Sequence, residues 1–149
     1  MSISRRLKEY LDQEHVHYDV LPHPEAFRAL ARAQVLHAPE KEIAKVVIVQ
    51  VATRFVMTVL PASWTIDLHR LRNCFIPDQV RLATEQEFKD LFPDCELGAM
   101  PPFGILYGLS VYVDHSLTED EFIVFQAGTH SEAIRMRYWD FHTLVFPVV

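Results

Sequence analysis

Glycine is scarce in this sequence: four in 149 residues, at positions 98, 104, 108 and 128. So few leave no phosphate cradle of the GxGxxG or GxxxxGK[ST] kind, and no serine sits in a GxSxG elbow. Cysteine is scarcer, and Cys74 and Cys95 make neither a disulfide framework nor a metal motif, so both are expected as buried thiols. Eight histidines include no HExxH or C2H2 spacing. His15 and His17 would share a strand face, but without a third ligand, so no metal and no cofactor is expected. Hydrophobic runs fall short of the roughly 18 to 20 residues that cross a bilayer. Met1 to Arg6 lacks a secretory core, and the expectation is a cytoplasmic protein with no membrane partner. Positive charge is also the minority, 14 Lys and Arg against 20 Asp and Glu, for a net charge of −6. That argues against DNA or broad nonspecific nucleic-acid binding, though Arg28, Arg32, Lys41, Lys45, Arg70, Arg72, Arg135 and Arg137 could form a local patch.

Against this background Leu97-Gly-Ala-Met-Pro-Pro-Phe-Gly-Ile105 stands out, two glycines bracketing two prolines. Pro101 and Pro102 hold φ near −65° and donate no main-chain hydrogen bond, so neither a helix nor a central strand passes through. The expectation is a stiff, exposed loop, read either as the wall of a binding site or as a rigid connector.

The rest of the chain predicts one α+β domain, residues 1–149, with a mixed, mostly antiparallel sheet and surrounding helices. Ile3, Leu7, Tyr10 and Leu11 have helical spacing, with Ser2 or Ser4 as cap. His15 to Leu21 alternates as a short strand broken by Pro22-His23-Pro24, and Glu25 to Leu36 predicts a second helix. Val46 to Ala52 is a β-branched run suited to a central strand, with Phe55 to Leu60 as its hairpin partner. Asp67 or Thr65 opens a helical turn over Ile66 to Leu71, and Gln79 to Leu82 is a brief strand. Thr84 and Glu87 form a capping box. Ser110 to Asp114, Glu121 to Gln126 and Glu132 to Met136 read as strands, with a turn at Ala127-Gly128-Thr129-His130 and a closing helix over Tyr138 to Leu144. Trp64 and Trp139 are expected in packed or half-buried positions.

Three segments could carry chemistry. Ile43-Ala44-Lys45 puts a lysine at the mouth of the most buried strand, where it either aims its donors at an oxygen or snorkels to solvent. The glycine–proline loop is the second. The third, Ala127 to Ile134, is a small-residue turn followed by Thr129, His130 and Ser131, and reads equally as a plain hairpin with a surface histidine.

In this order and spacing the segments resemble the YbaK and prolyl-tRNA-synthetase-associated editing domains. The likeness extends through Pro22-His23-Pro24, Ile43-Ala44-Lys45, Leu60-Pro61, Asp67-Leu68, Val80 to Thr84, Gly98 to Gly104, Val113-Asp114 and Gly128 to Met136, with Ala133-Ile134-Arg135-Met136 especially similar. The resemblance implies a trans-acting deacylase that hydrolyses the ester between a wrong amino acid and the terminal ribose of tRNA. Its partners would be the acceptor end of mischarged tRNA and an aminoacyl-tRNA synthetase. By position, Lys45 would hold the terminal phosphate or the substrate's polar end. Gly98 and Pro102 complete the family's GxxxP loop, whose backbone would face the ester. Gly128 and His130 would line the opposing turn, and Met100, Pro101, Phe103, Gly104, Thr129 and Ser131 would contact substrate. Val46 stands where many relatives carry Thr or Asn, removing a polar group beside the expected pocket. Arg137 to His142 is more aromatic than the family's closing helix, which suits core packing or a homodimer face. Two other readings stay open: a binding module that senses an aminoacyl or nucleotide ligand in the same pocket, and a structural domain acting through that aromatic face.

Overall fold

Helix α1 (Arg5–Gln13) forms where the 3, 7, 11 spacing puts Leu7 and Leu11 on one face, and both are fully buried. Ser4 caps it, its hydroxyl accepting from Leu7 N at 3.3 Å, while Ser4 N donates to Ala127 O at 2.7 Å. The computed structural model describes residues 3–22 and 39–149. The predicted helix Glu25 to Leu36 and the break at His23-Pro24 lie outside the described residues.

Among the described residues seven strands form two sheets. β1 (Tyr18–Pro22), β6 (Phe122–Thr129) and β7 (Glu132–Arg137) make an antiparallel sheet in the order β1-β7-β6. β2 (Ala44–Val51), β3 (Arg54–Pro61), β4 (Val80–Leu82) and β5 (Val111–Val113) make the other, in the order β4-β2-β3-β5, with β3 and β5 parallel. The β-branched run of β2 is thus central, as expected. Helices α2 (Leu68–Arg72), capped by Asp67, α3 (Glu85–Phe88), with its Thr84–Glu87 capping box, and α4 (Tyr138–Val145) surround the sheets. This is the α+β, mostly antiparallel fold that the sequence implies. Among the described residues no helix is long and apolar enough to cross a membrane.

The main core lies between the sheets. Ala44, Ile48, Met57 and Val59 from one meet Ile123, Phe125, Ile134 and Met136 from the other, with Leu7, Leu11, Tyr138 and Phe141 closing it. Phe103 sits inside, fully buried, with ring centroids 5.6 Å from Phe125 and 5.5 Å from Phe141. Each such ring contributes about 2–3 kcal/mol by leaving water.

Several expectations are corrected. The glycine–proline loop is not an exposed wall: residues 99–104 are all buried, and Leu97, Gly98 and Ile105 at its ends stay open. The reason is that Met100 and Phe103 are apolar enough to drag the prolines between them into the core. β6 runs through Ala127, Gly128 and Thr129 to a tight turn at His130-Ser131, because a bulge between Gln126 and Thr129 absorbs the irregularity. His15 lies in a turn at φ 57° and does not share a strand with His17. Cys74 is exposed. Trp64 and Trp139 are 50% and 58% exposed, since each sits on a turn or helix face that no described element covers.

Candidate functional site

The loop and the turn meet through main-chain bonds. Glu96 N donates to Gly128 O at 2.8 Å, and Gly128 N donates to Ala99 O at 2.8 Å. Gly128 takes φ +97°, and a side chain there would press on Ser4, its Cβ 2.9 Å from that of the serine. Only glycine allows α1, β6 and the loop to come this close. Gly98 takes φ +83°, with the place of its missing Cβ 3.4 Å from His130 Cε1, so loop and histidine are in contact.

His130 is buried, and its Nε2 lies 2.7 Å from Leu97 O. A carbonyl only accepts, so Nε2 carries the proton and the ring braces the loop. Among the described residues Gly98 N–H reaches only the Met100 sulfur, at 3.3 Å. A thioether is a weak acceptor, so this donor would transfer readily to a stronger one. Met100, Pro101, Pro102, Phe103 and Gly104 are buried behind it. Met100 and Phe103 belong to the core. A Cβ on Gly104 would lie 2.6 Å from Leu109 O. These residues hold the loop from behind, and its open face is main chain at Leu97-Gly98.

Lys45 is half-buried on β2, opposite Leu60. Ala44, Val46 and Ile48 face the main core, so Lys45 takes the other face of the sheet. Val46 therefore packs inward and does not sit beside the lysine. Ile43 bridges Val124 in parallel, so β2 and β6 advance together, and Lys45 lies about 7 Å further along at ~3.3 Å per residue. The same direction on β6 leads to Gly128 and His130. Lys45 thus stands two residues beyond the Ile43–Val124 bridge, and Gly128 and His130 stand four and six residues beyond it on the other chain segment.

Three residues around the site carry no sequence signal. Glu96 accepts from Thr129 Oγ1 at 2.6 Å and, more weakly, from His130 N at 3.4 Å. The Thr129 hydroxyl, outweighing burial and helped by His130, holds its carboxyl below the ordinary range. Thr129 Oγ1 is also 3.0 Å from Ser131 Oγ. Behind them Asp94 accepts from Ser4 Oγ and from Tyr107 OH at 3.0 Å. Burial pushes Asp94 up, but these hydrogen bonds, Ser4 first, outweigh it and hold the carboxyl low. Cys95, beside it, is pushed up to about 12 by burial, so it is a thiol and not a thiolate nucleophile. An acid two residues before a glycine is too common a pattern to read without knowing what it faces.

The fold and this geometry define a class: small α+β domains in which a strand end and a proline-stiffened loop present main-chain donors. Residues 23–144 match the aminoacyl-tRNA editing domain family, and the chain belongs to that family. Among solved structures, a proposed trans-editing enzyme for prolyl tRNA synthetase is 23% identical with a TM-score of 0.80, over 97% of this chain and 92% of the other. A hypothetical protein, APE2540, is 19% identical with a TM-score of 0.86, over 97% of each chain. A scaffold protein used for computational epitope grafting is 20% identical with a TM-score of 0.86, over 98% of this chain and 94% of its own. At these identities the likeness establishes the fold alone. No curated protein matches the sequence.

Proposed function

We propose that this chain is a trans-acting editing hydrolase that removes the amino acid from mischarged tRNA, with the acceptor end and an associated aminoacyl-tRNA synthetase as partners in the cytoplasm. The observation that carries the reading is Gly98: an exposed residue at the start of a buried loop, held against the His130 turn, whose N–H is engaged only weakly, by sulfur. Water adds to the ester carbonyl, the Gly98 N–H stabilises the developing oxyanion, and the ribose hydroxyl leaves with a proton. An aminoacyl ester is already activated, so positioning and one or two fixed donors suffice without an ionised nucleophile. Lys45 supplies the positive charge that orients the terminal phosphate or the substrate's polar end. His130, Gly128, Thr129 and Ser131 shape the opposing wall, and Pro102 keeps the loop rigid.

The test charges tRNA with alanine, cysteine and serine and follows release with and without the protein. At least one ester should be cleaved faster, and Lys45→Ala should lower kcat/KM at least tenfold, a loss of about 1.4 kcal/mol in transition-state stabilisation. No acceleration on any ester overturns the proposal. A second reading draws on the His130 ring, whose Nε2 proton is engaged by Leu97 O and so braces more readily than it abstracts. In that reading the chain binds an aminoacyl or nucleotide ligand without cutting it, and Lys45→Ala changes affinity only.

A further inference from the structure

A hollow of about 230 Å³ opens beside the start of β2, lined by Lys41, Pro61, Trp64, Ser116, Glu119 and Asp120. It neighbours Lys45 in the β2–β3 ladder: Pro61 pairs with Ala44, the next rung is Leu60 with Lys45, and Ala62 N donates to Ile43 O at 2.7 Å. Nothing in the editing chemistry above uses it.

Two of its walls are unusual. Trp64 is 50% exposed, held at the rim by a turn in which its N–H donates to Pro61 O at 2.9 Å. A large indole left half in water beside a proline ring offers a flat apolar surface. Asp120 is the opposite case, a carboxylate with a side chain only 6% exposed. Its nearest cation, Lys41 Nζ, stands 3.7 Å away, beyond hydrogen-bond length, and no described donor comes closer. Buried carboxylates are normally met by several donors, so this one lacks N–H partners on its open side. Burial holds the Asp120 carboxyl above its ordinary range, against the pull of Lys41.

We propose that this hollow is a subsite for one unpaired nucleobase bearing an exocyclic amine, stacked on Trp64 and read by the Asp120 carboxylate. The assignment rests on the editing reading, in which a single-stranded RNA end approaches Lys45. Stacking on an aromatic ring and hydrogen bonding at the base edge are how proteins hold splayed RNA bases, and a carboxylate selects the amino group of cytosine or adenine. A neutral heterocycle fits better than a guanidinium from a protein partner. Lys41 already opposes the Asp120 charge, so the carboxylate lacks donors and not a counter-ion, and Lys41 would repel a second cation. The same lysine suits the phosphate next to the base.

The test follows the two tryptophan indole N–H signals by 15N NMR, with Trp64 identified by Trp64→Phe, during titration with cytidine, adenosine and uridine 5′-monophosphates. The Trp64 signal should shift saturably with the cytidine and adenosine nucleotides, at least fivefold more tightly than with uridine, while Trp139 stays still. Asp120→Asn, whose amide presents a donor as readily as an acceptor, should reduce that preference to twofold or less. Equal binding of uridine overturns the proposal, as does tighter binding of N-acetylarginine amide than of any nucleotide, which would make the partner a protein. A protein that hydrolyses its charged tRNA while Trp64 ignores all three nucleotides refutes the subsite and spares the activity. One that binds them at Trp64 and hydrolyses no ester refutes the activity and leaves a nucleobase subsite standing.

Discussion

Two of the proline-containing connections in this molecule behave in opposite ways. Between α2 and β4, residues 73–79 leave Ile76 73% exposed and are anchored by Phe75, tilted against Tyr112 at 4.8 Å. Between α3 and β5, residues 99–104 are buried, and Glu96 and Ala99 are each tied to β6 by a main-chain bond at Gly128. Proline stiffens both. What makes one of them a candidate site is burial of its back and hydrogen bonding of its flanks, which leave Gly98 exposed in a fixed place.

That contrast can be tested by substitution on each side. Phe103→Ala removes a fully buried ring beneath the loop and should cost about 3–5 kcal/mol in urea unfolding. Asp94→Asn weakens the bonds from Ser4 and Tyr107 and should cost about 1–3 kcal/mol at neutral pH. Its folded pKa is held low, so its stabilisation is present above the unfolded value of about 3.9 and fades as pH falls through the folded one. The gap between parent and variant, measured by thermal unfolding from pH 7 to 3, should therefore close on acidification. Gly98→Ala forces a side chain into positive φ against His130, for about 1–2 kcal/mol of strain. It should lower deacylation more than it lowers the melting temperature. Ile76→Ser, on the open connection, should change stability by less than about 0.5 kcal/mol and leave hydrolysis intact. A large effect there would erase the distinction between the two connections.

Much of this was legible in the residues. The capping box at Thr84 and Glu87, the Asp67 cap, the central β2 run and the hairpin to β3 are local signals, settled by hydrogen bonds and periodicity within a few positions. The loop and turn were also legible as candidates, because Gly-Pro and Gly-Thr-His patterns are rare in so glycine-poor a chain. Their exposure was not. Whether Pro101 points to water depends on whether Met100 and Phe103 find a core, and that core is assembled from α1, β2 and β3 earlier in the chain and β6, β7 and α4 later in it.

Local chemistry, then, decided the elements, their caps and the family likeness: φ restrictions, side-chain alternation and capping act over a handful of residues. Tertiary structure decided which main-chain donor stays open, which carboxylates are satisfied, and that Val46 faces the core while Lys45 does not. Those outcomes depend on contacts between Ser4, Asp94, Gly98, Gly128 and His130, groups scattered along the sequence that only a packed interior brings within hydrogen-bond range.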